Sequence, residues 1–487
     1  MGQLPAHHAA RDPRRPAITL GEVALTRQGL EVRANRRARA LRAQGVGLGD
    51  FVTVALPNGF EFYETTFALW KLGAIPNMVS SKLPDGELGA IVQLANPRLV
   101  IGVEPSRLPG RAVVAAGVPV DQTLSAEPLE TAISPHWKAM TSGGSTGRPK
   151  IIVDHMAGAV DPEAPNMLQQ FDDVLLNPGP LYHNAPFGLT HSGLFRGAHV
   201  IEMGGRFDAS EALRLIERHR VQWVNFVPTM MARIWKLPAE ERLAADVSSL
   251  RVVFHMASPC PVWLKAEWID WIGPEKLFEL YGGTEGQGVT IITGEEWLEH
   301  RGSVGRVWEG AAMRVLDADG KDCPPGQIGE VYFRPNAGRN STYHYIGAEA
   351  KAAGEWESIG DLGHVDADGY LYLADRRTDL ILSGGANIYP AEVEAALDSH
   401  PDVLTSAVVG LPDDDLGQRV HAIVQPREGA DLSPEILVRH LEERLVRYKI
   451  PRSFEFSATP LRDDAGKTRR STLREQRAPK LSPEATR

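Results

Sequence analysis

Cysteine is almost absent from this chain: Cys260 and Cys323 are the only two in 487 residues. They lie far apart and match no metal-ligand or redox spacing. That excludes a disulfide scaffold and a cysteine-built zinc site and leads us to expect a reduced, cytoplasmic setting. Long apolar runs are missing too. No segment approaches the roughly 20 residues of a membrane span, and Met1-Gly-Gln-Leu-Pro-Ala-His-His lacks the apolar stretch of a signal peptide. Positive charge is in deficit, with a formal net charge of −10, which argues against a general nucleic-acid binder. Arg33, Arg36, Arg37, Arg39 and Arg42 could form a local basic face, but read more simply as the solvated side of an amphipathic helix.

What is present is enough apolar material, 43% of the residues, to fill more than one core, so two or more domains are expected. Helical spacing from Gly29 to Gln44 is broken by glycines. A strand follows from Phe51 to Leu56, then a helix from Asn58 to Leu72 and a strand from Ala74 to Val79. The alternation recurs at Arg98 to Val103, Ser210 to His219, Trp223 to Val227 and Arg251 to His255, which implies parallel sheets. From about Ala311 short β segments with turn signals predict a small β-rich unit. After Asp375-Arg-Arg-Thr-Asp the pattern resets to a compact α+β domain with a helix from Pro390 to Ser399. Beyond about Arg470 charge and proline predict a poorly ordered tail.

Four polar stretches carry the chemistry. In Thr141-Ser-Gly-Gly-Ser-Thr-Gly-Arg-Pro-Lys150 three glycines let backbone approach an anion, while four hydroxyls and a lysine can bind phosphate oxygens. Taken alone, the stretch also fits a plain linker. It is not a P-loop, because Lys150 follows proline and precedes isoleucine. Tyr281-Gly-Gly-Thr-Glu-Gly286 offers a ring to stack a base, glycines for close approach, a hydroxyl, and a carboxylate able to hold Mg²⁺ through water. A tight turn with a surface glutamate is the other reading. Asp361 at a strand end suits two ribose hydroxyls, and Arg376 can bridge ribose and phosphate. Asp366 and Asp368 read as turn residues. Gly466-Lys467 sits in a polar loop, where a lysine can reach a carboxylate and an α-phosphate or simply face solvent.

In this order and at these intervals, from about Asp12 to Leu473, the four stretches resemble the adenylate-forming superfamily of acyl-CoA synthetases, peptide-synthetase adenylation domains and luciferases. The resemblance implies an α/β fold: a large N-terminal domain of two stacked sheet-helix layers plus a small β barrel (1–375), a hinge (376–379, with Thr378 at the pivot), and a mobile C-terminal α+β domain (380–487). It implies an acyl-CoA ligase that joins a carboxylic acid to AMP using ATP and Mg²⁺, then moves the acyl group to coenzyme A.

Catalytic roles fall on Lys467, Thr284, Glu285 (also the metal ligand) and His183, which corresponds to the family's gate beside the acyl carboxylate or is otherwise a core histidine. Nucleotide binding falls on Thr141, Ser142, Gly143, Gly144, Ser145, Thr146, Gly147, Lys150, Ser258, Pro259, Tyr281, Gly282, Gly283, Thr284, Asp361 and Arg376. The acyl pocket would comprise His183, Phe187, Phe226, Val227 and Gly282, with Met230 and Met231. These apolar residues fit ordinary core equally well. Ser383, Gly384, Gly385 and Ala386 would face the incoming thiol after the C-terminal domain rotates.

The wording of the motifs is most similar to the branch acting on bile acids, steroids and other polycyclic or fatty acids, and Ala185, Pro186 and Gly188 leave room for a bulky substrate. Arg462-Asp463-Asp464-Ala465 replaces the family's neutral triplet, which keeps open an enzyme that mainly performs thioesterification on a preformed acyl-adenylate. A stand-alone enzyme loading a carrier protein is a further alternative. Against it, Asp208, which superficially matches the acid that binds an amino group in peptide synthetases, reads as a helix N-cap. A homodimer is the default assembly.

Overall fold

A computed structural model describes residues 1–142, 149–164, 166–376, 378–413, 415–463 and 466–477. The alternating strands and helices build two sheets. One has seven strands, with Ala139–Ser142, Ile75–Met78, Phe51–Val54, Leu99–Ile101 and Val113–Val114 parallel, and Lys150–Asp154 and Tyr343–Ile346 added antiparallel at one edge. The other has nine. Its parallel run Pro16–Leu20, His199–Glu202, Val174–Asn177, Trp223–Phe226, Val252–His255 and Leu277–Gly282 carries antiparallel strands at both edges. Strand-then-helix patterning produces parallel pairing because each crossover helix must return the chain to the same end of the sheet.

A single core joins the two sheets. It links Ile18 and Val200 of the larger to Val52, Val54 and Met140 of the smaller through the helices Arg27–Ala43, Phe60–Lys71 and Asn184–Phe195. The helix Phe60–Lys71 buries ten of its twelve residues, as a helix covered on all sides must. Its Lys71 is fully buried and pairs with Glu31 at 2.8 Å. Trp70, 1% exposed, sits at the centre, where truncation to alanine costs about 3–5 kcal/mol.

The β-rich unit is a six-stranded antiparallel sheet spanning Ala311 to Arg376. Past it, a five-stranded sheet and two helices bury their own core of Ile381, Val393, Leu397, Val408, Val420, Leu437 and Leu441, the signature of a separate C-terminal unit. The two units touch: Lys236 Nζ donates to the carbonyls of Val403 (2.7 Å) and Leu404 (3.0 Å). None of the helices among the described residues is long and apolar enough to cross a membrane.

Two expectations change. The arginines of Arg27–Ala43 are not merely solvated: Arg33 pairs with Glu64, Arg37 with Glu61 and Glu64, and Arg36 and Arg39 donate to backbone carbonyls of Leu124 and Glu127. Partners from a distant segment are invisible to helical periodicity. The chain just past Arg470 is also not loose. Arg470–Arg477 is a helix anchored by Arg470 to Glu394 (2.7 Å) and Asp379 (2.8 Å) and by Arg477 to Glu455 (2.6 Å). Composition flagged the charge but not the carboxylates waiting for it. Asp208 is the N-cap expected, accepting from the Glu211 amide at 2.8 Å.

Candidate active site

Parallel sheets open a crevice at the carboxyl ends of their strands, and the polar stretches converge there on one cleft of about 2100 Å³. The turn that follows Leu277–Gly282 forms its centre. An added Cβ on Gly282 would lie 2.7 Å from the Val289 side chain, and one on Gly283 would lie 2.7 Å from Glu285 Oε2. A side chain at Gly282 would displace Val289, and one at Gly283 would push Glu285 aside. The Tyr281 hydroxyl donates to Asp361 Oδ2 at 2.7 Å, although the two belong to different sheets and stand 80 residues apart. An aromatic ring and a buried carboxylate are therefore held side by side.

The phosphate end is built around Glu285, which is buried. Lys150 Nζ lies 3.2 Å from its Oε1 and 3.9 Å from the centre of the Tyr345 ring, and the Tyr345 hydroxyl donates to the same oxygen at 2.5 Å. Burial and the neighbouring glutamate raise the Tyr345 phenol far above its ordinary range, so it stays a donor. Lys150 and Tyr345 are brought together by the edge pairing of Lys150–Asp154 with Tyr343–Ile346. Thr141 lies one strand further in, its hydroxyl accepting from the buried Asn77 amide at 3.0 Å. Gly143, Gly144, Ser145, Thr146 and Gly147 lie outside the described residues, as do the side chains of Ser142 and Arg376. A buried hard carboxylate beside a lysine and a glycine turn fits Mg²⁺. Glu285 would hold the ion through its water shell, where the charge of the ion would screen phosphate oxygens.

Above the centre, Met256-Ala-Ser-Pro-Cys260 leaves its strand with Ala257 at φ +77°. It brings Ser258 and Pro259 to the cleft wall, and the Ser258 Oγ is buried without a hydrogen-bond partner among the described residues. An orphaned hydroxyl at a cleft wall is a vacancy for a ligand polar atom. Burial raises the Cys260 thiol well above its ordinary range. His183 is the N-cap residue of Asn184–Phe195, lines the cleft and packs its ring 4.6 Å from that of Tyr182. Beneath it Lys138, whose proton affinity burial lowers, donates to Asn184 Oδ1 at 2.6 Å and pairs with Asp154 at 3.1 Å.

Lys467 reaches the same cleft from the C-terminal unit. Its loop is shaped by Asp463, whose carboxylate accepts from the Lys467 amide at 2.9 Å while its own amide donates to the Lys467 carbonyl at 2.9 Å. Gly466, at φ +74°, lies against Thr229, leaving only 2.7 Å for an added Cβ. Thr284, Val227, Met230 and Gly282 also line the cleft. Phe187, Phe226 and Met231 do not. They are fully buried, Phe187 packing on His191 with ring centres 4.3 Å apart and Phe226 on Trp268 at 5.8 Å, which corrects the acyl-pocket reading of those three. Ser383, Gly384, Gly385 and Ala386 form the hairpin turn between Ile381–Ser383 and Ala386–Ile388 and stand outside the cleft.

Residues 5–338 match the family model described as AMP-binding enzyme, and residues 392–466 match the AMP-binding enzyme C-terminal domain. This chain belongs to the AMP-binding enzymes. It resembles CoA ligases over more than nine-tenths of its length. It is 34% identical to a feruloyl-CoA synthase from Amycolatopsis sp, over 94% of this chain and 95% of that protein. It is 30% identical to the fatty acid–[acyl-carrier-protein] ligase ScoC of Streptomyces coeruleorubidus, over 97% and 96%. Its structure superposes on the o-succinylbenzoate CoA synthetase of Bacillus subtilis in complex with an acyl-adenylate intermediate, with TM-score 0.80, 26% identity, and coverage of 98% and 99%. The chain is an AMP-forming acyl-CoA ligase that works through an acyl-adenylate and uses ATP, Mg²⁺ and coenzyme A.

Proposed function

We propose that both half-reactions run on this chain, on an elongated carboxylic acid, with the C-terminal domain (380–487) pivoting on 376–379 between them. The observation that carries this reading is the contact of Tyr281 with Asp361 in a cleft that Lys467 also lines. In the first step the acid lies past His183 with its carboxylate toward the α-phosphate. Lys467 neutralises the charge that develops there, and Lys150 exchanges Glu285 for the leaving pyrophosphate. Thr284 donates to the acyl or phosphate oxygen. With the glycine turn Ser383–Ala386 outside the cleft, this arrangement suits adenylation. Rotation withdraws Lys467 and brings Gly384, Gly385 and Ala386 to the thiol.

Asp463 supports full adenylation capacity, since its carboxylate is engaged by the Lys467 amide and acts as a turn cap. The likeness to an acyl-carrier-protein ligase keeps a carrier-protein acceptor as the second reading. The relatives named above do not favour bile acids or steroids, and the substrate we propose is defined by length. A cytoplasmic homodimer completes the proposal.

The test measures pyrophosphate release across a panel of acids, then AMP release with coenzyme A or a carrier protein. Acid-dependent pyrophosphate release followed by CoA-dependent AMP release supports the reading. AMP release from presynthesised adenylates alone would leave only the thioester-forming half.

A further inference from the structure

Past His183 the cleft continues along the helix Asn184–Phe195, and the residues on that side change character along its length. Each residue turns the helix by about 100°, so Ala185, Gly188 and Ser192 share a stripe, and all three line the cleft. Phe187, His191 and Leu194 fall on the opposite side, in the core. Near His183 the stripe is narrow and apolar: an added Cβ on Gly188 would sit 3.6 Å from the Trp137 ring, which also lines the cleft. The far end is polar. Asn166, Ser192 and Arg196 line it together, with Ser192 and Arg196 only 6% and 4% exposed.

The bonds among these three leave donors over. Arg196 gives its Nε hydrogen and one NH2 hydrogen to the Ala164 carbonyl and its NH1 hydrogens to the Ser192 carbonyl (3.0 Å) and Ser192 Oγ (2.9 Å). That uses four of the five N–H groups of a guanidinium. Ser192 Oγ accepts from Asn166 Nδ2 as well, so its own O–H has no acceptor among the described residues. No ion pair joins Arg196 to any carboxylate among the described residues; Asp161 acts on it only through space. A buried guanidinium compensated only by carbonyl and hydroxyl dipoles is costly unless an acceptor completes it.

On the ligase reading above, we infer that Asn166, Ser192 and Arg196 form the distal end of the acyl pocket and select carboxylic acids bearing a second oxygen function, an anionic or hydrogen-bond-accepting group, remote from the reacting carboxyl. The eight steps along the helix from Asn184 to Ser192 rise by about 12 Å. This matches an aryl-propenoic acid with a para oxygen or an α,ω-diacid of moderate length, and it excludes short acids that cannot span the slot.

Paired acids test this: 3-phenylpropenoic acid against its 4-hydroxy form, and decanoic against decanedioic acid, each followed by pyrophosphate release. The oxygenated member of each pair should lead by about tenfold or more in kcat/KM, because a site that hydrogen-bonds a substrate oxygen leaves its own buried donors unpaired when that oxygen is missing. Ser192→Ala and Asn166→Leu should each cut that ratio to below about threefold, with the change carried by KM. Arg196 is left intact because it also ties down Ala164. Equal use of both members by the unaltered enzyme, or a ratio that survives both substitutions, overturns the assignment while the ligase reading stands. Failure of every acid in the wider panel to release pyrophosphate would instead count against adenylation on this chain, an outcome distinct from equal use of the paired acids.

Discussion

The two halves of this site are held with very different firmness. In the large domain the site groups are tied to neighbours within the same domain: Glu285 to Lys150 and Tyr345, Asp361 to Tyr281, Asn184 to Lys138. The small domain brings Lys467 in on a loop, and among the described residues it meets the large domain through Gly466 against Thr229, Lys236 with two carbonyls, the Ala391 amide on Asp375 at 2.8 Å, and Arg470 3.8 Å from Asp375. One half is preorganised for charge; the other docks on it through polar contacts that can exchange. A ligase with two successive reactions needs both properties, because nucleotide must stay while the lysine leaves.

Lys467→Ala puts that difference to its most severe test. Pyrophosphate release should fall by about 10²–10³-fold, the loss typical of a single transition-state charge stabiliser. Consumption of a presynthesised acyl-adenylate with coenzyme A should change little. Equal losses in both assays would mean that the lysine does not belong to the first step alone. Within the fixed half, Tyr345→Phe removes one donor to Glu285 and frees Lys150 from part of its arrangement. We expect about a tenfold loss in pyrophosphate release, by analogy with removal of one charge-assisted bond, and a weaker dependence on added Mg²⁺. The complementary break falls on the exchangeable half. Gly385, at φ +81°, tolerates no branched side chain without strain, so Gly385→Val should slow CoA-dependent AMP release several-fold and leave pyrophosphate release at its original rate.

The same contrast governs what the sequence discloses. Thr141, Lys150, Tyr281, Thr284 and Glu285 are legible because a glycine-rich turn and its polar neighbours sit within ten residues of one another. Asp361 and Lys467 are read from the order and intervals of the four stretches, which resemble the adenylate-forming superfamily, and both line the cleft. Tyr345, Lys138 and Asn77 carry no local signature. They reach the site through sheet pairing and side-chain bonds across large separations, such as the 60 residues between Tyr345 and Glu285, which no window along the chain can see. Phe187 and Phe226 show the opposite failure. Being large, apolar and near the gate made them natural pocket residues, whereas the helical phase of Phe187 matches core-facing His191, and the small residues Ala185 and Gly188 mark the open face. Phase along the helix, read from where the small residues fall, is the signal that was available.

The smallest effect belongs to the boundary itself. Burial lowers the pKa of Lys236 to about 8 from its ordinary 10.5, with Asp398 opposing the shift and Arg427 adding to it. The docked arrangement therefore disfavours the protonated amine. Below pH 8 the group is charged whether docked or released, and the penalty on docking is fully present. Between pH 8 and 10.5 a released Lys236 stays protonated while a docked one loses its proton, so docking strengthens as pH rises through this window. Fluorescence energy transfer between labels on the two domains should report a rising docked fraction from pH 8 upward. Lys236→Met should flatten that rise, since it fills much of the same space without titrating. A pH profile unchanged by the substitution would assign the titration to another group and leave Lys236 as a simple donor to Val403 and Leu404.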